Sequence, residues 1–548
     1  MNRILLMLVG AGFGLLANAQ VTYQTIPLPK QVEVAPGGQV ALLIKGQPVT
    51  YPQGNEVMKR NAQFAAEYFS LTACEASKKV KAGLQLTLGL KSSNPEAYAI
   101  RIDKKGISIQ GASESGVFYG LQTLRKSLSG EQGDTLRLPY VTITDEPRFA
   151  YRGTELDCAR HFFPVAFIKK FIDILALHGV NRFHWHLTDD QGWRFEMKSL
   201  PELAAKASVR PHTIIGKNLG LNDPANALYD DTPETGYYSQ EEMKEIVRYA
   251  AERFITVIPE IDLPGHMVAA LSVYPELGCT GGPYEVWTQW GISADVLCAG
   301  NPKTLDFLHK VMDEVCEVFP GKLIHIGGDE SPRTRWKSCS KCQAKMKELG
   351  LKNEAQLQTY INKDIEAYLS AKGRDIIGWD ETLEGGLSDK ASVMSWRGYQ
   401  GGIEAARQHH HVVMTPTSHC YIDYYQLKDP ARQPLAIGGY LPLSKVYSME
   451  PVPAELTEEE SKYIMGAQCN LWTEYVVSPD HAMYMLLPRL AAMCEVQWMQ
   501  PEAKNYDDFS QNRLPALHAL YRQLGYKYCP AFEGDGLSQN IGLDRRKI

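Results

Sequence analysis

The chain has 548 residues, with 57 Lys and Arg against 63 Asp and Glu, for a formal net charge of −6. At 44% hydrophobic and 22% charged residues the composition is that of a globular protein, which excludes disorder, collagen-like repeats and a small disulfide scaffold. At about 150 residues per domain the length suits roughly two to four domains, or one large barrel with an added module. The mild acidity and scattered Lys and Arg argue against a nucleic-acid partner.

The chain opens on Asn2-Arg3, an apolar run from Ile4 to Leu16, and Ala17-Asn18-Ala19. A short positive start, an apolar stretch and a small-x-small site are the marks of a secretory signal, assigned to residues 1–19. The run is shorter than the roughly 20 residues that span a bilayer, no Cys follows the cleavage site, and no later segment is apolar enough to span. The mature protein is therefore expected to begin at Gln20, exported and soluble, in the periplasm or outside the cell.

Residues 20–146 read as a small α+β domain. Val40-Ala-Leu-Leu-Ile-Lys and Leu84-Gln-Leu-Thr-Leu-Gly are strand-like, and Tyr98-Ala-Ile-Arg-Ile and Gly106-Ile-Ser-Ile-Gln alternate as strands of a meander. Met58 to Leu71 has helical spacing, and a second helix begins near Ser115. No carboxylates or histidines cluster here, so the module is given a structural role. Asp145-Glu-Pro147 marks its end.

From Phe149 the pattern changes to strand, helix, strand, helix. Expected strands are Tyr151–Leu156, Asn181–Leu187, Ile255–Pro259, Leu323–Gly327, Asp375–Trp379, Ser392–Trp396, Val412–Pro416 and Ala467–Trp472. Ala166–Leu177, Glu241–Glu252, Thr304–Val318 and Asn353–Leu369 are among the intervening helices. This alternation predicts a (β/α)8 TIM barrel over residues 147–500, with its least helical stretch after the seventh strand. Residues 501–548 are expected to close the barrel and end in a polar tail.

Eleven cysteines permit disulfides in an exported chain without requiring them. Cys279 and Cys298 bracket a Gly- and Trp-rich insertion that a disulfide would pin. Cys339-Ser-Lys-Cys342 has metal-site spacing, but a structural zinc takes four ligands and no second C-x-x-C exists. A local disulfide or plain thiols is the expectation there, with no metal and no cofactor.

In such a barrel the catalytic groups lie at the C-terminal ends of the strands, whose loops share one mouth. The polar outliers fall there in turn: Asp157 and Arg160-His161; His184, His186, Asp189 and Asp190; Glu260, Asp262 and His266; Asp329-Glu330; Trp379-Asp380-Glu381; Trp396; Tyr421 and Asp423; Trp472 and Glu474. Carboxylates with aromatics and one arginine suit a sugar: rings lie against its C–H faces, and a protonated carboxylic acid can donate to a glycosidic oxygen. Taken singly, each tryptophan is more often core, Trp185 faces the barrel helices, and Asp380 and Glu381 read as caps of the next segment. His178, Glu384 and the histidines at 409–411 are assigned nothing.

Four motifs carry a resemblance. Arg152-Gly-Thr-Glu-Leu-Asp-Cys-Ala-Arg-His-Phe-Phe-Pro164, His184-Trp-His-Leu-Thr-Asp-Asp-Gln-Gly-Trp193, Pro259-Glu-Ile-Asp-Leu-Pro-Gly-His266 and His325-Ile-Gly-Gly-Asp-Glu330 resemble those of the β-N-acetylhexosaminidases, glycoside hydrolase family 20. The resemblance covers the whole barrel, and the preceding module is similar to that family's small α+β domain. It implies substrate-assisted chemistry, in which the substrate acetamide is the nucleophile. It further implies Glu330 as general acid and then base, Asp329 on the acetamide N–H, and Tyr421 on the acetamide oxygen. Asp189 and His266 would orient and tune Glu330. Arg160 would grip the 3- and 4-hydroxyls, Asp423 and Glu474 the 4- and 6-hydroxyls, and Trp379, Trp396 and Trp472 would wall the sugar. The implied partner is a terminal, non-reducing β-linked GlcNAc or GalNAc, with insertions at 200–238 and 267–300 overhanging the mouth.

Two rival readings are weaker. His184 and His186 on one strand face, with Asp329 near, could belong to a metal-dependent hydrolase, though satisfied hydrogen bonding beneath the sugar site explains both. A sugar-binding barrel without activity would keep the aromatics but would not need an adjacent acid pair.

Overall fold

The computed structural model describes residues 21–128, 133–216, 227–387 and 390–530. The expected signal segment, 1–19, and the polar tail beyond 530 lie outside the described residues.

The first module is a seven-stranded sheet with two helices. Its strands run, edge to edge, Gln31–Val34, Val141–Asp145, Tyr98–Asp103, Gly106–Gly111, Leu84–Leu88, Pro48–Tyr51 and Thr72–Glu75. The expected meander strands form the central antiparallel hairpin, whose alternate residues are buried as the sequence alternates. The helices Glu56–Phe69 and Glu114–Ser127 start at Asn55 and Ser113, whose side chains accept the free backbone N–H groups of Met58 and Ser115. Val40–Ile44 is a strand, but it pairs with Thr135–Pro139 outside the main sheet.

Eight parallel strands then close into a barrel: Tyr151–Asp157, Arg182–His186, Thr256–Glu260, Leu323–His325, Asp375–Trp379, Ser392–Ser395, Val412–Met414 and Ile464–Cys469. All eight expected strands are present. Helices Val165–Leu177, Gln240–Ala251, Pro302–Val318 and Glu354–Ala371 cover the outside. Between the seventh and eighth strands only short helical turns occur, the longest being Leu443–Tyr447. Closure itself differs from expectation. It comes from the eighth strand pairing with the first, Tyr151 opposite Gly466 to Thr154 opposite Cys469, with helix Arg489–Trp498 behind. Residues beyond 500 instead form a helix, Leu514–Gln523, that packs against Glu114–Ser127 of the first module. Its Tyr521 hydroxyl meets His178 Nε2 at 2.5 Å, which gives that buried histidine a structural role.

The two modules are locked together by buried polar contacts. Arg152, on the first barrel strand, pairs with Glu96 at 2.6 Å, and Trp498 Nε1 donates to Asp145 at 3.0 Å. Trp185 packs outside the barrel, fully buried between Phe183 and Tyr238.

The expected disulfide between Cys279 and Cys298 is not formed, nor is one between Cys339 and Cys342; all eleven cysteines are free thiols. The physical reason is convergence, because the sulfurs of these four residues share one space and none is paired off.

Candidate active site

The eleven residues expected to carry function come from all eight strand ends, and contacts link them into one mouth. On one side runs a chain of charge. Asp157 at the end of the first strand holds Arg160 at 3.1 Å, and Arg160 reaches Asp189 at 2.9 Å. Asp189 in turn faces His266 Nδ1 at 3.1 Å, and His266 Nε2 lies 3.7 Å from Asp329 and 3.8 Å from Glu330. Glu474 approaches Arg160 at 3.8 Å, and the guanidinium lies 5.2 Å from the Trp472 ring. On the other side Trp472 contacts Trp379 and Tyr421 at 5.8 and 6.4 Å, and Trp396 stacks on Tyr421 at 6.1 Å. Asp423 is buried beside Tyr421 and feels the charge of Glu474.

Backbone conformation places the acid pair. The fourth strand stops at His325, and Gly327, Gly328 and Glu330 all take positive φ, of 62°, 102° and 43°. A Cβ on Gly327 would lie 1.8 Å from Asp262 Oδ1, so only glycine lets the chain pass that buried carboxylate, which accepts the Gly328 N–H at 3.0 Å. His266 also has φ of 51°. Positive φ at two non-glycine site residues is stored strain of about 1–3 kcal/mol each, held by the surrounding contacts.

The electrostatics set the protonation states. Burial and then the neighbouring Asp329 push Glu330 up to about 7, against the opposing pull of His266 and Arg160. His266 is buried, which disfavours its charge, yet Asp189 and its hydrogen bonds hold it well above the ordinary histidine value as an imidazolium. For Asp189 burial again opposes charge, but Arg160 and His266 keep its carboxyl well below the usual range. Burial, with Asp423 and Asp329 nearby, raises the Tyr421 phenol well above 10, so it is a neutral donor at any working pH. Asp423 is raised by burial and by Glu474, and Glu474 by burial.

Several groups that make this geometry were placed at strand ends by sequence reasoning but given no role in the site. Glu260 is the hub beneath the pocket. It faces His186 at 2.5 Å, His184 at 2.9 Å and His325 at 3.0 Å, and it accepts Trp379 Nε1–H at 2.9 Å. Beneath the site His184 is hydrogen-bonded through Nδ1 to Gln468, while His186 bonds Glu260 and passes on to Asp189 at 2.9 Å. Glu381, read as a cap, accepts Trp396 Nε1–H at 2.9 Å and is pushed by burial and Asp329 up to about 8, while Asp380 pairs with Arg397. Glu260 and Glu381 both stand at strand ends in the sequence, but their partners come from other strands, so no local spacing marks their role.

What the arrangement lacks is a partner for some of its polar atoms. Asp329 Oδ1 and Asp423 Oδ1 are buried without a hydrogen bond among the described residues. Such atoms are costly unless a ligand satisfies them. They belong to a cluster that also offers a half-buried carboxylic acid poised near neutrality, a neutral phenol and three indoles. The arrangement can protonate a leaving group, hold an amide N–H, and bind hydroxyls. Beside it, His161, Thr213, Ile214, Trp290, Glu474 and Tyr475 border a further cleft, so both insertions reach the mouth.

Comparisons with known proteins agree with this geometry. Residues 149–501 match the model of "Glycosyl hydrolase family 20, catalytic domain", and residues 22–146 match that of "Glycosyl hydrolase family 20, domain 2". The chain is 46% identical over 434 residues to a beta-hexosaminidase of Porphyromonas gingivalis, covering 78% of this chain and 53% of that one. It is 30% identical over 438 residues to a beta-hexosaminidase of Akkermansia muciniphila, covering 79% of this chain and 85% of that one. Among solved structures it is similar to an exo beta-N-acetylglucosaminidase of Vibrio harveyi in complex with N-acetylglucosamine, with a TM-score of 0.80 and 30% identity over 93% of this chain and 78% of that one. The chain thus spans about half the length of the Porphyromonas relative.

Proposed function

The chain belongs to glycosyl hydrolase family 20, and from that footing we propose that it is an exo-acting β-N-acetylhexosaminidase. It removes terminal non-reducing β-linked GlcNAc or GalNAc from glycans or chitooligosaccharides with retention of configuration. The observation that carries this reading is the adjacent acid pair: Glu330 is held near neutrality while Asp329, beside it, presents an unpartnered oxygen.

In the first step the substrate's acetamide oxygen forms a bond to the anomeric carbon as the glycosidic C–O bond breaks. Glu330 gives its proton to the departing oxygen. Asp329 accepts the acetamide N–H and offsets the positive charge of the oxazolinium ring, and the Tyr421 hydroxyl donates to the acetamide oxygen to direct its attack. Glu330, now a carboxylate, takes a proton from water as that water opens the ring and releases the sugar. One residue can serve as acid and then base when its pKa lies near the working pH. His266 and Asp189 orient it, Arg160, Asp423 and Glu474 hold ring hydroxyls, and Trp379, Trp396 and Trp472 wall the sugar.

Release of 4-nitrophenol from its β-GlcNAc, β-GalNAc and β-glucoside conjugates tests the proposal. Cleavage restricted to the two N-acetyl sugars supports it, and equal cleavage of the glucoside overturns the acetamide-assisted route. Asn2 to Ala19 further supports export to the periplasm or beyond; among the described residues no helix is long and apolar enough to cross a membrane. Sequencing of the mature N-terminus is expected to begin at Gln20, and an intact Met1 would refute processing.

A further inference from the structure

Four cysteines from three segments that follow the catalytic loops meet in one place. Cys279 follows a short turn, Pro275–Leu277, and Cys298 ends the insertion that begins after the third barrel strand. Cys339 and Cys342 flank the start of helix Ser340–Leu349, which follows the Asp329-Glu330 loop. Their sulfurs lie 3.8 Å apart for Cys279 and Cys342, 3.7 Å for Cys298 and Cys339, and 3.6 Å for Cys298 and Cys342. All four are within 4.8 Å of one another.

These separations discriminate between the chemistries open to cysteine. A disulfide needs sulfurs at about 2.05 Å, and would pair them two by two. Four thiolates around one tetrahedral ion with Zn–S bonds of about 2.3 Å stand about 3.8 Å apart along each edge. A polynuclear iron–sulfur cluster interposes sulfides and spreads its cysteines further. From this geometry we propose that Cys279, Cys298, Cys339 and Cys342 form a structural zinc site. Binding releases one proton from each thiol that is still protonated and joins four thiolates to one divalent ion.

The surroundings are built for such a site. Cys298 and Cys342 are fully buried, Cys339 nearly so, and Cys279 is half-buried. The chain closes on the cluster at Gly300, where a Cβ would lie 2.2 Å from Lys341 C and O and 2.4 Å from Cys342 N. Only glycine fits, and its N–H is turned to the sulfurs of Cys298 and Cys342, which suits the net negative charge of a four-thiolate centre.

The site joins the two loops that carry the chemistry. Leu297, beside Cys298, donates its N–H to Pro264 O at 3.0 Å, two residues before His266. Leu297 O accepts Trp336 Nε1–H at 2.9 Å, and Asp295 pairs with Arg335 at 2.7 Å, on the segment between Glu330 and Cys339. A metal here fixes the His266 loop against the Asp329-Glu330 loop from behind. It acts on position and touches no substrate.

The test is elemental analysis of the full chain purified without chelator or added metal, together with titration of mercurial reagent against a chromogenic zinc indicator. One zinc per chain, released in step with modification of four thiols, is the expected result. The C339S/C342S double variant is expected to lose the zinc and to melt at lower temperature. Cys279→His, a conservative ligand swap at the half-buried position, is expected to retain it even if the double variant fails to fold. No metal in wild type, with fewer than all eleven cysteines alkylated after denaturation, would overturn the proposal in favour of disulfides. One bound iron with visible thiolate absorption would overturn zinc as the ion.

Discussion

Replacing Asp329 by Asn gives the sharpest test of how the acid pair works. The substitution keeps the shape of the side chain and removes one negative charge beside Glu330. Asp329 and Glu330 each approach His266 Nε2, at 3.7 and 3.8 Å, so their facing oxygens are no more than about 7.5 Å apart. At that distance two unit charges interact by about 2 kcal/mol at an effective dielectric of about 20, and by about 0.5 kcal/mol in bulk water. The Glu330 side chain is 35% exposed, so screening draws the value toward the lower end. With about 1.4 kcal/mol per pH unit, the Glu330 pKa should fall from about 7 by roughly 0.5–1.5 pH units. Glu330 must be protonated to act as the acid, so the basic limb of kcat/KM moves to lower pH. The assay is the pH profile on a chitobiose-type substrate, whose poor leaving group requires the acid. His266→Asn removes a positive neighbour and should move the same limb upward. A limb that stays put in Asp329→Asn, or rises, would refute the electrostatic coupling.

Glu330→Gln should lower kcat on poor leaving groups by about 10²–10⁴ while leaving terminal-sugar binding largely intact; turnover and product affinity measured side by side decide it. Arg160→Ala removes the guanidinium that faces Asp157 and Asp189, leaving Asp157 to backbone N–H groups and Asp189 to His186 and His266. It should cost about 1.5–3 kcal/mol in a denaturant titration, besides raising KM. Gly327→Ala forces a Cβ onto Asp262 at a positive φ, so about 1–3 kcal/mol of stability and much of the activity should be lost; wild-type stability in urea would contradict the close approach.

The barrel was legible because buried parallel strands read as continuous apolar runs ending in polar residues. Ile255–Pro259 and Asp375–Trp379 lie within one residue of the observed strands. The fourth strand is shorter than expected because Gly327 leaves the ladder at positive φ. The eighth starts three residues earlier, at Ile464, since Gly466 hid its beginning in the sequence. The site acids stood out as chemical anomalies at strand ends. Glu260 stood among them without a role, because its importance lies in meeting three histidines and an indole from three other strands. The convergence of four cysteines was hidden for a similar reason. Spacing shows one Cys-x-x-Cys, whereas the other two thiols are brought in by the fold from 41 and more residues away, as Cys298 to Cys339 illustrates.

The lock between the modules bears on how this molecule comes apart. Arg152 belongs to the barrel's first strand, yet its guanidinium is matched by Glu96 of the small domain, while Asp145 of that domain holds Trp498 of the last barrel helix. Neither body can separate without exposing a charge or an indole whose partner lies in the other. The small domain is therefore part of one melting unit and serves as the outer wall of the ring seam, where first and last strands join. Excising the barrel at Phe149 would leave Arg152 and Trp498 without those partners, so trimming the small domain away should cost the barrel its stability.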